Sequence, residues 1–157
     1  MKTLVIYYSY SGKTRVCAEA IARELRADLQ EIKDKKPYRG IWAYIIGSGD
    51  AFTGRKIELL SPKYDLTAYD RIVLATPVWA FHTTPAIYTY ANNCDFSGKK
   101  VFILTTSLGI PGNAMDVLGE IVERRGGKVV GKQDIISLAK SDDVLAMEAV
   151  KKIGSFI

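Results

Sequence analysis

Four runs of apolar, mostly β-branched residues stand out along the chain, at 3–8, 70–76, 100–107 and 128–138, with a weaker one at 28–33. Each is short and almost unbroken, the pattern of a strand covered on both faces. Between them the apolar residues change to a helical spacing. Over 14–26, Val16, Cys17, Ala20, Ile21 and Leu25 share one face, and Arg15, Glu19, Arg23 and Arg26 the other. Over 113–125, Ala114, Met115, Leu118, Ile121 and Val122 oppose Asp116, Glu120, Glu123 and Arg124, and Gly126-Gly127 ends the helix. Thr84-Pro85 reads as an N-cap with proline at the first helical position, and 142–154 as the last helix.

Strands alternating with helices predict an α/β fold: a doubly wound parallel sheet with right-handed crossovers and helices on both faces. Only 34–69 breaks the rhythm, and it is too long for a bare loop. Gly40 followed by Ile41, Trp42, Ala43, Tyr44, Ile45 and Ile46 predicts a short helix there, with Gly47, Gly49 and Gly54 punctuating the residues behind it. With no internal repeat, linker or low-complexity tract, 1–157 reads as a single domain.

Composition agrees. The 157 residues are 48% hydrophobic and 25% charged, as in an ordinary globular domain. No apolar run approaches the ~18 residues of a membrane span. Met1 to Ile6 leads at once into polar turn residues, so no secretory signal is expected and the expected location is the cytoplasm. The net charge is +5, but the basic residues fall in scattered pairs with acids between them, with no stripe for nucleic acid. Cys17 and Cys94 have no metal or redox spacing; Cys17 reads as a buried, unreactive thiol, and no disulfide is expected.

In an open parallel sheet, ligands sit beyond the carboxyl ends of the strands. After the first strand come Ser9, Tyr10, Ser11, Gly12, Lys13 and Thr14, opening directly into a helix. Short hydroxyl side chains, free first-turn amides and the positive end of the helix dipole suit a phosphate there; an ordinary turn with Ser11 as cap fits as well. Gly12-Lys13-Thr14 also mimics the tail of a nucleotide-binding P-loop. That motif needs a glycine where Tyr7 stands, and a magnesium-binding Asp is missing after the strand ending at Thr76. Next comes Thr76-Pro77-Val78-Trp79-Ala80-Phe81-His82-Thr83-Thr84, aromatic and nearly uncharged, as a flat ring requires. Trp79 either flanks such a ring, as Phe81 would, or packs into the core. His82, the single histidine, is either an exposed loop residue or a donor to a ligand. The third turn, Thr105-Thr106-Ser107-Leu108-Gly109-Ile110-Pro111-Gly112, either wraps a ring edge with its backbone or is a plain connection.

In this order, each after a strand, the three turns resemble those of the flavodoxin-like family. Ser9-x-Ser11-Gly12-x-Thr14 resembles its phosphate-binding loop, and 76–84 and 106–109 its two isoalloxazine-binding loops. The likeness is closer to the short flavodoxin-like proteins of bacteria and archaea, with a Thr/Ser-Pro-x-Trp second loop and a glycine-flanked aromatic helix before it, as at 40–54. It runs over essentially the whole chain. The resemblance implies a five-stranded sheet of order 2-1-3-4-5 and one non-covalent FMN serving electron transfer or NAD(P)H-dependent reduction. The FMN would be held by Ser9, Tyr10, Ser11, Gly12, Lys13, Thr14, Thr76, Pro77, Val78, Trp79, Ala80, Phe81, Thr106, Ser107, Leu108 and Gly109. NAD(P)H and redox proteins are the implied partners, and exposed sheet edges are compatible with a homodimer. No side chain is singled out as catalytic acid, base or metal ligand. The alternative is a cofactor-free interaction module on the same fold. Three features depart from the family: Lys13 after the loop glycine, Leu108 where many flavodoxins place a tyrosine, and a basic rather than acidic chain.

Overall fold

Thr3–Tyr7 forms β1, and all five of its residues are buried because strands and helices cover it on every side. The computed structural model describes residues 1–35, 57–60 and 62–154; the short helix expected at 40–46 lies outside them. Along the chain β1 is followed by α1 (Lys13–Leu25), β2 (Asp28–Glu31), β3 (Arg71–Trp79), β4 (His82–Thr83) and α2 (Pro85–Asn93). Then come β5 (Lys100–Ser107), α3 (Ala114–Arg124), β6 (Lys128–Ile136) and α4 (Asp142–Ile153).

The sheet runs β2-β1-β3-β5-β6, all pairs parallel, with β4 folded back antiparallel on β3. Counting the parallel strands alone, this is the expected 2-1-3-4-5. Side chains alternate between two cores, as the pleat requires. Leu4, Ile6, Ile72, Leu74, Val101 and Ile103 face Ile87 and Tyr90 of α2 and Leu118 and Val122 of α3. Val5, Tyr7, Val73, Ala75, Phe102 and Leu104 face Cys17 and Ile21 of α1 and Leu145, Ala149 and Ile153 of α4. The weakest run in the sequence, β2, is an edge strand whose first two residues are exposed, so it needs no unbroken apolar run.

Most boundaries fall within two residues of those expected, but two details differ more. Strand β3 continues past Thr76 to Trp79, because Val78 and Trp79 pair with Thr83 and His82 in a hairpin. Thr84 does sit at the N-cap of α2, but makes no side-chain cap; its hydroxyl instead bonds that of Thr76 at 2.9 Å. Among the described residues, no helix is long and apolar enough to cross a membrane.

Candidate functional site

The chain leaves β1 toward β2 on one side, and β3 lies on the other, so strand order reverses between β1 and β3. A crevice opens at the carboxyl edge at such a point. Because β1, β3 and β5 are neighbours, the turns at their ends are neighbours too, and three contacts join them pairwise. Thr14 Oγ1 and Thr106 Oγ1 share a buried hydrogen bond of 2.7 Å. The rings of Tyr10 and Trp79 meet edge to face at 5.7 Å. The Asn113 amide donates to the Phe81 carbonyl at 2.9 Å.

The first turn is organised around Ser9. Its Oγ accepts the backbone N–H groups of Gly12 and Arg15, each at 3.2 Å. With both lone pairs used, its O–H proton is left for a ligand. Gly12 is the N-cap of α1 at φ +92°, a conformation that costs glycine little. Having no side chain, it caps none of the first-turn amides; Ser9 takes that of Arg15, and those of Lys13 and Thr14 lack partners within the helix. Ser11 is exposed beside them. Lys13 turns away: its Nζ donates to the Lys140 carbonyl at 3.1 Å and to Asp142 Oδ1 at 3.0 Å, tying the turn to the start of α4.

The second turn is a two-residue hairpin with Ala80 and Phe81 at its tip, both at positive φ. Trp79 is 6% exposed, its ring held edge to face by Tyr8 at 5.8 Å as well as by Tyr10. Phe81 is 57% exposed. Half-buried His82 lies opposite Trp79 in the hairpin. Between this tip and the third turn lies a cleft of about 330 Å³, lined by Val78, Ala80, Phe81, Leu108 and Ile110. None of its described lining residues is charged. It can take a flat apolar ring, and the first turn can take an anion. Thr76 and Thr106 lie below, buried, and Pro77 half-buried.

Among the residues that build the site, Gly112 belongs to the expected third turn, while Arg15, Asp134 and Asp34 carried no signal for it in the sequence. Gly112, at φ +55°, admits the Phe81 backbone so closely that a Cβ there would lie 2.1 Å from the Phe81 carbonyl oxygen. Arg15, on the polar face of α1, brings its guanidinium to 3.6 Å from where a Gly12 Cβ would stand. Asp134 of β6 accepts the hydroxyls of Thr105 and Ser107 under the third turn. Asp34, beyond β2, is 9% exposed; its Oδ2 accepts the Tyr8 hydroxyl at 2.9 Å, while its Oδ1 has no hydrogen-bond partner among the described residues. Burial pushes its carboxyl above the ordinary range, and the Tyr8 hydroxyl opposes that shift. Cys17 is fully buried, and desolvation pushes its thiol up to about 12, which leaves it unreactive.

No family model matches the sequence, and no curated protein is significantly similar to it. Solved structures are similar. A protein from Bacteroides uniformis, provisionally assigned as a flavoprotein, is 24% identical with a TM-score of 0.74, over 94% of this chain and 96% of its own. A flavoprotein from Lactobacillus acidophilus in complex with FMN is 27% identical with a TM-score of 0.70, over 85% of this chain and 92% of its own. Oxidised flavodoxin 2 from Bacillus cereus is 20% identical with a TM-score of 0.62, over the full length of both chains. These likenesses show a flavodoxin-like fold.

Proposed function

We propose that this chain, flavodoxin-like in fold, binds one FMN non-covalently and serves redox chemistry through it. The observation that carries the reading is the meeting, at one edge of the sheet, of unspent donors in the Ser9 to Thr14 turn with an uncharged cleft beside Phe81 and Leu108.

The Ser9 O–H, the Ser11 hydroxyl and the first-turn amides of Lys13 and Thr14 would hold the phosphate, with the helix dipole and the Arg15 charge in support. Hydrogen bonds to a charged group contribute about 1.5–3 kcal/mol each, so two or three suffice for firm anchoring. Val78, Phe81, Leu108 and Ile110 would flank the ring and exclude water, and the backbone of 106–109 would read its polar edge. Trp79 sets the back of the hairpin from within the core. When bound, FMN supplies the electron and hydride chemistry; the chain binds, orients and shields it.

No acid is among the described residues that line the cleft, and the chain is basic, with a net charge of +5; one carboxylate, Asp134, stands behind the third turn, bonded to Ser107. With so little negative charge about the ring, FMN when bound would supply two-electron chemistry there, which suits an NAD(P)H-linked reductase better than a one-electron carrier. Mass spectrometry of the small molecule that co-purifies tests the cofactor: FMN is expected, and a colourless protein with no bound flavin overturns the reading in favour of an interaction module. Redox titration tests the use: a single two-electron wave is expected, together with steady NAD(P)H oxidation in the presence of a quinone. Two well-separated one-electron waves, with no NAD(P)H oxidation, make the protein a carrier.

A further inference from the structure

Asp134 lies on β6 opposite Thr105, outside every turn assigned to the flavin. Its Oδ1 accepts the Thr105 hydroxyl at 2.6 Å, and its Oδ2 the Ser107 hydroxyl at 2.7 Å. A carboxylate only accepts, so both hydroxyl protons are committed to it. The Ser107 oxygen is thereby left as an acceptor, and it takes the Gly109 N–H at 3.1 Å. The direction of the whole chain is thus set from one end: Gly109 donates to Ser107, and Ser107 donates to Asp134. Ser107 is held from a second side as well, its carbonyl accepting the N–H and O–H of Ser137 at 2.8 and 3.0 Å. Lys152 of α4 pins β6 itself, donating to the Asp134 carbonyl at 2.7 Å. One residue further the chain leaves the core: Ser107 is 3% exposed and Leu108 is 63% exposed, forming a wall of the cleft.

We propose that Asp134 is a positioning residue for the ring-binding turn at 106–109. Through Ser107 it fixes the Gly109 amide and the Leu108 wall, and it puts a negative charge behind that turn. The inference rests on the FMN reading and adds two consequences to it. Order in this turn supports the ring, which FMN and riboflavin share, and not the phosphate, which only FMN carries. A fixed negative charge near the ring disfavours its reduced, anionic form, so its removal raises the midpoint potential.

The test compares the full-length parent with Asp134→Asn, Ser107→Ala and Ser107→Thr. Both Asp134→Asn and Ser107→Ala are expected to weaken FMN and riboflavin by the same factor, about five- to tenfold. Asp134→Asn raises the midpoint potential of the bound flavin, whereas Ser107→Ala, which keeps the carboxylate, leaves it nearly unmoved. Ser107→Thr, which keeps the hydroxyl, binds both flavins as the parent does. In the apo-protein, Gly109 amide exchange quickens about tenfold in the first two variants. Lowered thermal stability with unchanged Gly109 protection and unchanged affinities overturns the proposal, as does a loss confined to FMN. If Asp134→Asn does not fold, Ser107→Ala carries the affinity and exchange tests alone. Failure of the parent to bind either flavin defeats the FMN reading instead, and the exchange of Gly109 still decides whether Asp134 orders the turn.

Discussion

After β1 the chain turns into α1 through Gly12, at φ +92°; after β3 it folds back through Ala80 and Phe81, at φ +46° and +68°. Both turns need left-handed backbone, and they obtain it differently. Glycine adopts it at little cost. For a residue with a Cβ it costs roughly 1–2 kcal/mol, and two such residues meet at the hairpin tip, where asparagine and glycine are the usual choice. The first turn is therefore relaxed: Ser9 gathers the Gly12 and Arg15 amides, and Ser11 is exposed. The second is strained and is held by its surroundings: the Asn113 amide on the Phe81 carbonyl, the Thr76–Thr84 hydroxyl pair, and the two tyrosines against Trp79. A polar turn left open suits an anion that completes its hydrogen bonds, while an apolar tip held in strain suits a rigid wall for a ring.

The largest expected break in this contrast is Gly112→Ala. A Cβ there meets the Phe81 carbonyl oxygen at 2.1 Å and itself sits at φ +55°, so the latch between second and third turns must open. We expect a loss of roughly 3 kcal/mol in chemical denaturation. A change of less than half a kcal/mol would mean that the hairpin is not held by the third turn.

Asp34→Asn probes the support behind Tyr8. Burial raises this carboxyl above 3.8, so the folded protein holds the proton more tightly than the unfolded chain. Its contribution to stability is complete below about 3.8 and is lost as the pH rises through the folded value. Toward neutral pH the cost of burying this group is at its fullest, and the amide carries no charge to bury. The variant is expected to exceed the parent by roughly 1 kcal/mol at pH 7 and by less at pH 4. A gain that is equal at both values, or larger at pH 4, contradicts that origin.

Ala80→Gly relieves one of the two strained positions at some cost in unfolded-state entropy, for a net gain of about 0.5 kcal/mol in thermal or chemical unfolding. A loss of stability would show the tip to be unstrained. Lys13→Ala should do least. Its ammonium is spent on Asp142 and the Lys140 carbonyl, and the exposed pair contributes under about 1 kcal/mol. FMN affinity is expected to stay within about twofold of the parent, and a larger drop would place Lys13 on the phosphate.

Much of the fold could be read from the sequence, because period and burial coincide in it. Runs such as Leu4-Val5-Ile6 and Ile72-Val73-Leu74 are unbroken since both faces of the central strands are covered. The hairpin could not be read. Val78-Trp79 and His82-Thr83 have no alternation, and Ala80-Phe81 is not a turn dipeptide; packing overrode local preference there. At the site, the turn from Ser9 to Thr14 stood out in the sequence as a small, polar run leading straight from a strand into a helix, and the structure has that turn at the start of α1. Trp79 was not legible: its type does not say that Tyr8 and Tyr10 would enclose it. Asp134 was silent for another reason. It acts through Ser107 across a strand pair, and such a partner has no fixed spacing in sequence.

The central claim is that the turn after β1 grips the phosphate that distinguishes FMN from riboflavin. Titrating the apo-protein with both flavins under one salt condition measures that grip directly. Two charge-assisted hydrogen bonds predict that FMN binds at least about a hundredfold more tightly; equal affinity for the two flavins would contradict the account.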